Sequence, residues 1–445
     1  MSKRFWLLGL LGLVLVALLV ACGTSYDSSQ DGLLVVGSQG TGLLESFAFN
    51  VNTGGVAAVT NSPDYTATET CVLNGSPSNM VMDPGGNYTY VILIKNDQCQ
   101  NQTQYGVTSF QVHSDGTISQ VGGLITFNPE SVGGEQVPVV PSTLSIDAAG
   151  KFLFIADRAT TASGVPVPGA VSVFAVGSGG SLTEVPGSPF LTPPGIQPQN
   201  SDIVAVAASP TVFPNVGING TQNSYCQVPG STPPTAEFLY AVDTVNYGVW
   251  EFSVNTTTGA LGNPPLAAIP TFFPSDKVPM GVAVDPCDRF VYVSDFLTNK
   301  VSAYLLCSVV ILPAPCPNAG GSLRPVTGSP FTMSGSATGP GPILVDPYGN
   351  NLYVLGTLSN TISLFNISQI SGAIAASSPP TVATGQGPVS MTIRQDGNWM
   401  FVANFGTGAL GGNSVSQYQI SPARGTLTAM PVIYTDNSPY GVAVK

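Results

Sequence analysis

The chain has 445 residues, 43% of them apolar and only 8% charged, and 12 basic against 24 acidic side chains leave a formal charge of −12. Intrinsic disorder is excluded, since it needs low hydrophobicity and high charge; so is nucleic-acid binding, which needs a basic footprint that no Lys/Arg cluster supplies here. With 51 Gly, 38 Pro and few charged residues to clothe helices, the composition predicts turn-rich β structure with a Ser, Thr, Asn and Gln surface.

In chain order, Lys3 and Arg4 precede Phe5 to Val20, a run without charge. The run is short for a spanning helix, which takes about 20 residues, and fits a secretory leader. It ends Leu19-Val20-Ala21-Cys22-Gly23, which resembles the lipobox of bacterial lipoproteins. That resemblance implies a signal peptide over residues 1–21, lipidation of Cys22, and an exported protein anchored in the cell envelope. With Gly23 rather than Asp after the Cys, it implies the outer membrane. Residues 22–32 read as a polar tether. Ten such residues reach roughly 15–20 Å, at about 5–6 Å times the square root of their number. Besides Cys22 the chain has Cys71, Cys99, Cys226, Cys287, Cys307 and Cys316, none at C-x-x-C spacing, and one His. A zinc site is not expected, and neither is a cofactor.

From residue 33 onward three patterns recur in fixed order, seven times each. The first is a short apolar alternation, often closed by Asp: it ends at Asp83, Asp147, Val206, Asp285, Asp346, Ile393 and Val444. Several copies run into a turn, as in Asp83-Pro84-Gly85-Gly86-Asn87 and Asp346-Pro347-Tyr348-Gly349-Asn350. Asp, Pro and Gly in that order fit a tight hairpin. The second pattern is an aromatic-apolar strand ending in Asp or Asn, clearest at 152–157, 238–243, 290–295 and 399–404, with weaker copies near Leu33, Tyr88 and Leu352. The third is apolar-x-x-aromatic-x-apolar, as in Val171, Phe174 and Val176 or Val249, Phe252 and Val254. In a strand its first and fourth positions face opposite sides, so both faces are apolar, as in a sheet packed between two others. A looser fourth strand follows, as at 181–185 and 426–430.

Four strands repeated seven times predict an all-β, seven-bladed β-propeller over residues 33–445. The chain starts on a second-pattern strand and ends on a first-pattern strand, Tyr440 to Val444. The C-terminal strand is therefore expected to complete the N-terminal blade and close the ring. A Pro- and Gly-rich insertion at about 208–236, with Cys226, replaces the tight turn of the fourth blade. We expect it to be a decoration.

The repeats resemble those of the YVTN/lactonase-like seven-bladed propellers. The resemblance implies a ligand face where the innermost strands begin, over the central channel, and, in catalytic lactonases, His and Arg at those openings. Here the openings carry Ser78-Asn79, Ser142-Thr143, Ser201-Asp202, Met280, Ile343, Val389 and Tyr440. The one His, His113, precedes Ser-Asp-Gly and is expected on an outer hairpin. Acid–base chemistry would fall to Asp157, Arg158, Asp202, Asp243, Asp295 or Lys95, although an Asp ending a second strand is expected to brace the adjoining loop. No nucleophile elbow is present. The expected function is a lipid-anchored, monomeric scaffold. It touches the membrane through Cys22 and binds a protein or glycan, not nucleic acid, at the channel-mouth face. The alternative is a lactone hydrolase resembling 6-phosphogluconolactonase. On propeller geometry, the expected disulfides are Cys71–Cys99, Cys226–Cys287 and Cys307–Cys316. Pairing of Cys226 or Cys287 with the 307/316 hairpin is the rival.

Overall fold

A computed structural model describes residues 31–59, 62, 75–97, 102–127, 130–132, 135–137, 139–162, 165–192, 201–209, 237–262, 271–306, 323–406, 412–421 and 424–445. These form seven antiparallel four-stranded sheets and no helix. In blades 2 to 7 the four strands follow one another in sequence from the inner to the outer position, and in blade 1 the last strand of the chain takes the inner place. Blade 1 joins Pro439–Val444 to Asp31–Ser38, Leu43–Asn50 and Val56–Ala58. Blade 2 is Gly75–Met82, Tyr88–Asp97, Gln102–Val112 and Ile118–Thr126; blade 3 is Val140–Ile146, Phe152–Arg158, Ala170–Val176 and Leu182–Glu184. Blade 4 is Ile203–Ala208, Glu237–Asp243, Gly248–Val254 and Leu261–Gly262; blade 5 is Pro279–Val284, Phe290–Asp295, Lys300–Leu306 and Leu323–Pro325. Blade 6 is Pro340–Val345, Asn351–Gly356, Thr361–Ile367 and Ile374–Ala383; blade 7 is Pro388–Ile393, Trp399–Asn404, Ser414–Ile420 and Leu427–Ala429.

The first strand of each blade touches that of the next all the way round, with Pro439–Val444 meeting Gly75–Met82. The protein is a seven-bladed β-propeller. The ring is closed as the offset of the repeats predicts: Leu34 pairs with Val444 and Val36 with Val442. Closure leaves no inner edge strand open to another chain.

Seven apolar clusters hold the ring, one between each pair of neighbouring blades. The third pattern explains them. Val249 faces blade 5 while Phe252 faces blade 3; Val301 faces blade 6 while Tyr304 faces blade 4. One sequence motif thus serves two interfaces, because its first and fourth positions leave the sheet on opposite sides.

Two boundaries move. The first strand begins at Asp31, inside the segment read as tether. In blade 4 the strand runs to Ala208, and Ser209 N still donates to Phe238 O at 2.7 Å, so the insertion starts beyond Ser209. Residues 210–236 lie outside the described residues, as do residues 1–30 and every cysteine except Cys287, which is buried.

Candidate functional site

The first strands enclose a channel of about 870 Å³ lined by residues from all seven blades. Its wall is largely apolar, with Met80, Met82, Met280, Ile343 and Met391 beside Thr143, Ser390 and Thr392. In every blade the ladder between first and second strands slips in register near the opening where the first strand begins. Such bulges re-aim side chains at a rim.

At that opening the structure brings together Arg158 and Asp202. Arg158 ends the second strand of blade 3, and its guanidinium grips Asp202, just before the first strand of blade 4: Nη2 donates to Oδ2 at 2.8 Å and Nε to Oδ1 at 3.3 Å. The Ala159 N–H adds a 2.9 Å bond to Oδ1. The Arg158 side chain remains 47% exposed while that of Asp202 is 11% exposed, so the guanidinium is open to a ligand and the carboxylate sits behind it. Tyr440 of blade 1 lies within electrostatic reach of Arg158. Burial pushes the Tyr440 hydroxyl pKa up, and Arg158 partly offsets this. Phe405 of blade 7 packs edge-on against Tyr440, with ring centres 5.7 Å apart.

The other candidates are braces. Asp243 is fully buried, and its carboxylate accepts bonds from the Ser201 hydroxyl (2.8 Å), the Asn246 amide (2.7 Å), the Trp250 indole (3.0 Å) and the backbone of Asp202, Val245 and Asn246. It holds the strand that carries Asp202. Asp157 and Asp295 take the hydroxyls of Ser172 and Ser302, each at 2.7 Å. Asn404 does the same job in blade 7, donating to Ser416 at 3.0 Å. The sequence reading gave these residues the adjoining loop as partner. Asp243 does bond that loop, and Asp295 has Ser275 of the loop before the blade 5 inner strand; Asp157, Asp295 and Asn404 also reach the third strand, two residues beyond their cross-strand neighbours. Two rim residues are likewise spent on neighbours: Ser142 donates to Val204 O at 2.8 Å, and Thr143 accepts from Val206 N at 3.2 Å. His113 sits at the turn before the outermost strand of blade 2, bonded to Ser119 at 2.7 Å. The side chain of Lys95 lies outside the described residues.

The opposite mouth holds a feature that the repeat pattern concealed. Where blades 2, 3, 5 and 6 place Asp83, Asp147, Asp285 and Asp346, blade 7 places Arg394 and blade 1 Lys445; all six make the same backbone bond to the second strand. Two basic residues therefore sit side by side in an otherwise acidic ring. The signal was present, since both follow the first pattern directly, but the pattern had been defined by the Asp that usually closes it.

Residues 316–442 match the profile of the family described as Lactonase, 7-bladed beta-propeller. The matched stretch is under a third of the chain, and over it the C-terminal blades are similar to those of lactonase propellers. Among solved structures it is similar to a candidate 6-phosphogluconolactonase from Bacteroides uniformis, with TM-score 0.62 and 18% identity over 94% of this chain and 100% of that one. It is also similar to the periplasmic gluconolactonase PpgL of Pseudomonas aeruginosa, with TM-score 0.62 and 16% identity over 93% of this propeller and 99% of that one. At these identities the likeness concerns the fold. No curated protein matches the chain.

Proposed function

We propose that this propeller is an exported lactone hydrolase that works at the Arg158–Asp202 opening on an uncharged lactone. The observation that carries the reading is a half-exposed guanidinium held by a buried carboxylate on the face where the innermost strand of blade 4 begins. Arg158 would donate to the lactone carbonyl oxygen and stabilise the charge that grows there. Asp202 would accept a proton from the attacking water. The water oxygen bonds to the carbonyl carbon, the ring C–O bond breaks, and the ring oxygen leaves as a hydroxyl carrying that proton. The product is a hydroxy acid. The lactonase profile and the gluconolactonase neighbours favour this reading over the scaffold expected from sequence. A phosphorylated lactone fits poorly, because its dianion would meet one guanidinium already paired, on a protein of charge −12.

A binding scaffold at the same face is a second reading, favoured by one observation. Val245, Leu297 and Leu358 occupy the same turn position in blades 4, 5 and 6 and are 45%, 60% and 67% exposed. Acid release from glucono-δ-lactone, followed at constant pH, separates the two. Hydrolysis above the buffer rate should fall at least about tenfold in Arg158→Ala and Asp202→Asn, since one such group commonly supplies 10²–10⁴-fold. No turnover on uncharged lactones, or turnover untouched by both substitutions, would sink the hydrolase reading.

A further inference from the structure

At the turn between first and second strands, blades 2, 3, 6 and 7 place a glycine in the left-handed region: Gly86, Gly150, Gly349 and Gly397, with φ of 65°, 66°, 71° and 68°. Blade 5 places Asp288 there, with φ 56°. Aspartate tolerates this region less readily than glycine. Asp288 is also 1% exposed, and among the described residues neither carboxylate oxygen has a hydrogen-bond partner. The chain thus carries two unfavourable terms at one position: a side chain where four blades have none, and a buried carboxylate without a donor.

A second departure faces it across the blade interface. Tyr292 and Tyr353 hold equivalent places in blades 5 and 6, and each donates its hydroxyl to a carbonyl of the next blade's outer hairpin, Gly372 O at 3.0 Å and Gly425 O at 2.8 Å. Tyr240, their counterpart in blade 4, is fully buried among the residues packed against blade 5, and among the described residues its hydroxyl has no partner. Tyr240 pairs directly with Glu251 on the adjacent strand, so the two side chains stand together on the same face. Glu251 is 0% exposed, and among the described residues neither of its carboxylate oxygens has a partner. Both residues lie within electrostatic reach of Asp288.

Among the described residues no Lys, Arg or His is bonded to these carboxylates. Arg289 is committed to Asp285, through Nε and Nη2 at 2.8 Å each, and to Gln369 Oε1 at 2.8 Å. The segment 210–236, which joins the first two strands of blade 4, contains no Lys, Arg or His.

We propose that Asp288 and Glu251, with the Tyr240 hydroxyl beside them, form a buried site for one hard divalent cation, Ca²⁺ or Mg²⁺, between blades 4 and 5. Two carboxylates balance one divalent charge, and a set of donors made only of oxygen selects hard ions over zinc or copper. Among the described residues no group of three or more His, Cys, Asp or Glu is placed to hold a metal, so the ion keeps part of its water shell. Bound there, it ties the blade 5 turn to the blade 4 sheet and stabilises the native state by mass action.

The test is thermal unfolding of the full chain, stripped with chelator and then titrated separately with CaCl₂ and MgCl₂. The wild type should gain several degrees in Tm with one ion or both, and equilibrium dialysis should find one ion per chain. Asp288→Gly, which restores the residue of the other blades, should fold and lose both effects; Glu251→Gln should lose them too. Identical wild-type melting in chelator and in millimolar ion overturns the proposal. So does an equal rise, or equal binding, in both variants.

Discussion

Arg394 Nε donates a 3.0 Å hydrogen bond to the carbonyl oxygen of Lys445, in the neighbouring blade. Lys445 N in turn donates to Leu33 O at 2.8 Å. The end of the closing strand is therefore fixed from both sides, by the blade it completes and by the blade before it. Position 394 is free for this because Asp396 takes over the turn, accepting from Asn398 N at 3.0 Å and pairing with the Arg394 guanidinium. Arg394→Ala should destabilise the propeller by about 1.5–3 kcal/mol, the range for a hydrogen bond to a charged group. Removing residues 439–445 should abolish cooperative unfolding, since the strand Asp31–Ser38 would lose its inner partner. Urea titration measures both, and an unchanged midpoint for Arg394→Ala would show that the contact is idle.

Ring, blade number and closure were legible because the repeats encode them twice, in the spacing of the third pattern and in the offset between the two chain ends. The site was legible only in part. Arg158 and Asp202 stood among the candidates, but nothing in the spacing brings blades 3 and 4 together at one opening; only the ring does that. Asp288 passed unnoticed because Asp285-Pro286-Cys287-Asp288 was read as another Asp-Pro turn. The missing glycine was the signal, and its meaning depends on Glu251 across the interface. Arg394 and Lys445 were hidden by the same habit of reading the repeat by its majority residue.

Asp295 gives a pH dependence with a defined sign. Its folded pKa is raised to about 7, chiefly by burial, with the Ser302 bond offsetting part of the rise. An acid whose folded pKa lies above its unfolded value of about 3.9 holds its proton longer in the native state. Stability from this group is complete below pH 4, falls as pH rises from about 4 to 7, and then levels off. Three pH units correspond to at most about 4 kcal/mol. Asn404 fills the equivalent position in blade 7 with the same bond to a third-strand serine. Asp295→Asn should therefore fold, match the wild type near pH 4 and exceed it at pH 8, by differential scanning calorimetry. Parallel pH profiles for the two proteins would remove Asp295 as the source.

Anchoring at Cys22 remains a proposal, and the fold adds an orientation to it. The strand Asp31–Ser38 runs toward the Arg158 opening, since Ser38 pairs with Pro439 where the innermost strand of blade 1 begins. A tether ahead of Asp31 therefore leaves from the opposite face, and the channel opening would point away from the membrane. Cys22→Ser should abolish palmitate labelling and release the protein into the soluble fraction. Labelling and membrane retention that survive the substitution would end both the anchor and the orientation.

The disulfides test the assignment of faces. Cys287 is 2% exposed in the turn between the first two strands of blade 5, and its backbone N–H donates to the Asp285 carboxylate at 3.1 Å. Cys226 lies in the segment that joins the same two strands of blade 4, and both ends of that segment leave the ring on the Cys287 face. Cys71 and Cys99 fall in segments that adjoin the Arg158 face instead: one precedes the first strand of blade 2, and the other joins its second and third strands. Cys307 and Cys316 both lie, in sequence, between the third and fourth strands of blade 5. A crosslink needs Cα atoms roughly 4.4–6.8 Å apart, which favours pairs whose segments leave the ring on one face. We therefore predict Cys71–Cys99, Cys226–Cys287 and Cys307–Cys316, each typically adding about 2–4 kcal/mol by restricting the unfolded chain. Exchange among the last four cysteines would leave the fold intact and change only the pairing. Peptide mapping without reductant decides the matter: a peptide linking Cys71 or Cys99 to any of the other four would contradict the faces on which these segments leave the ring.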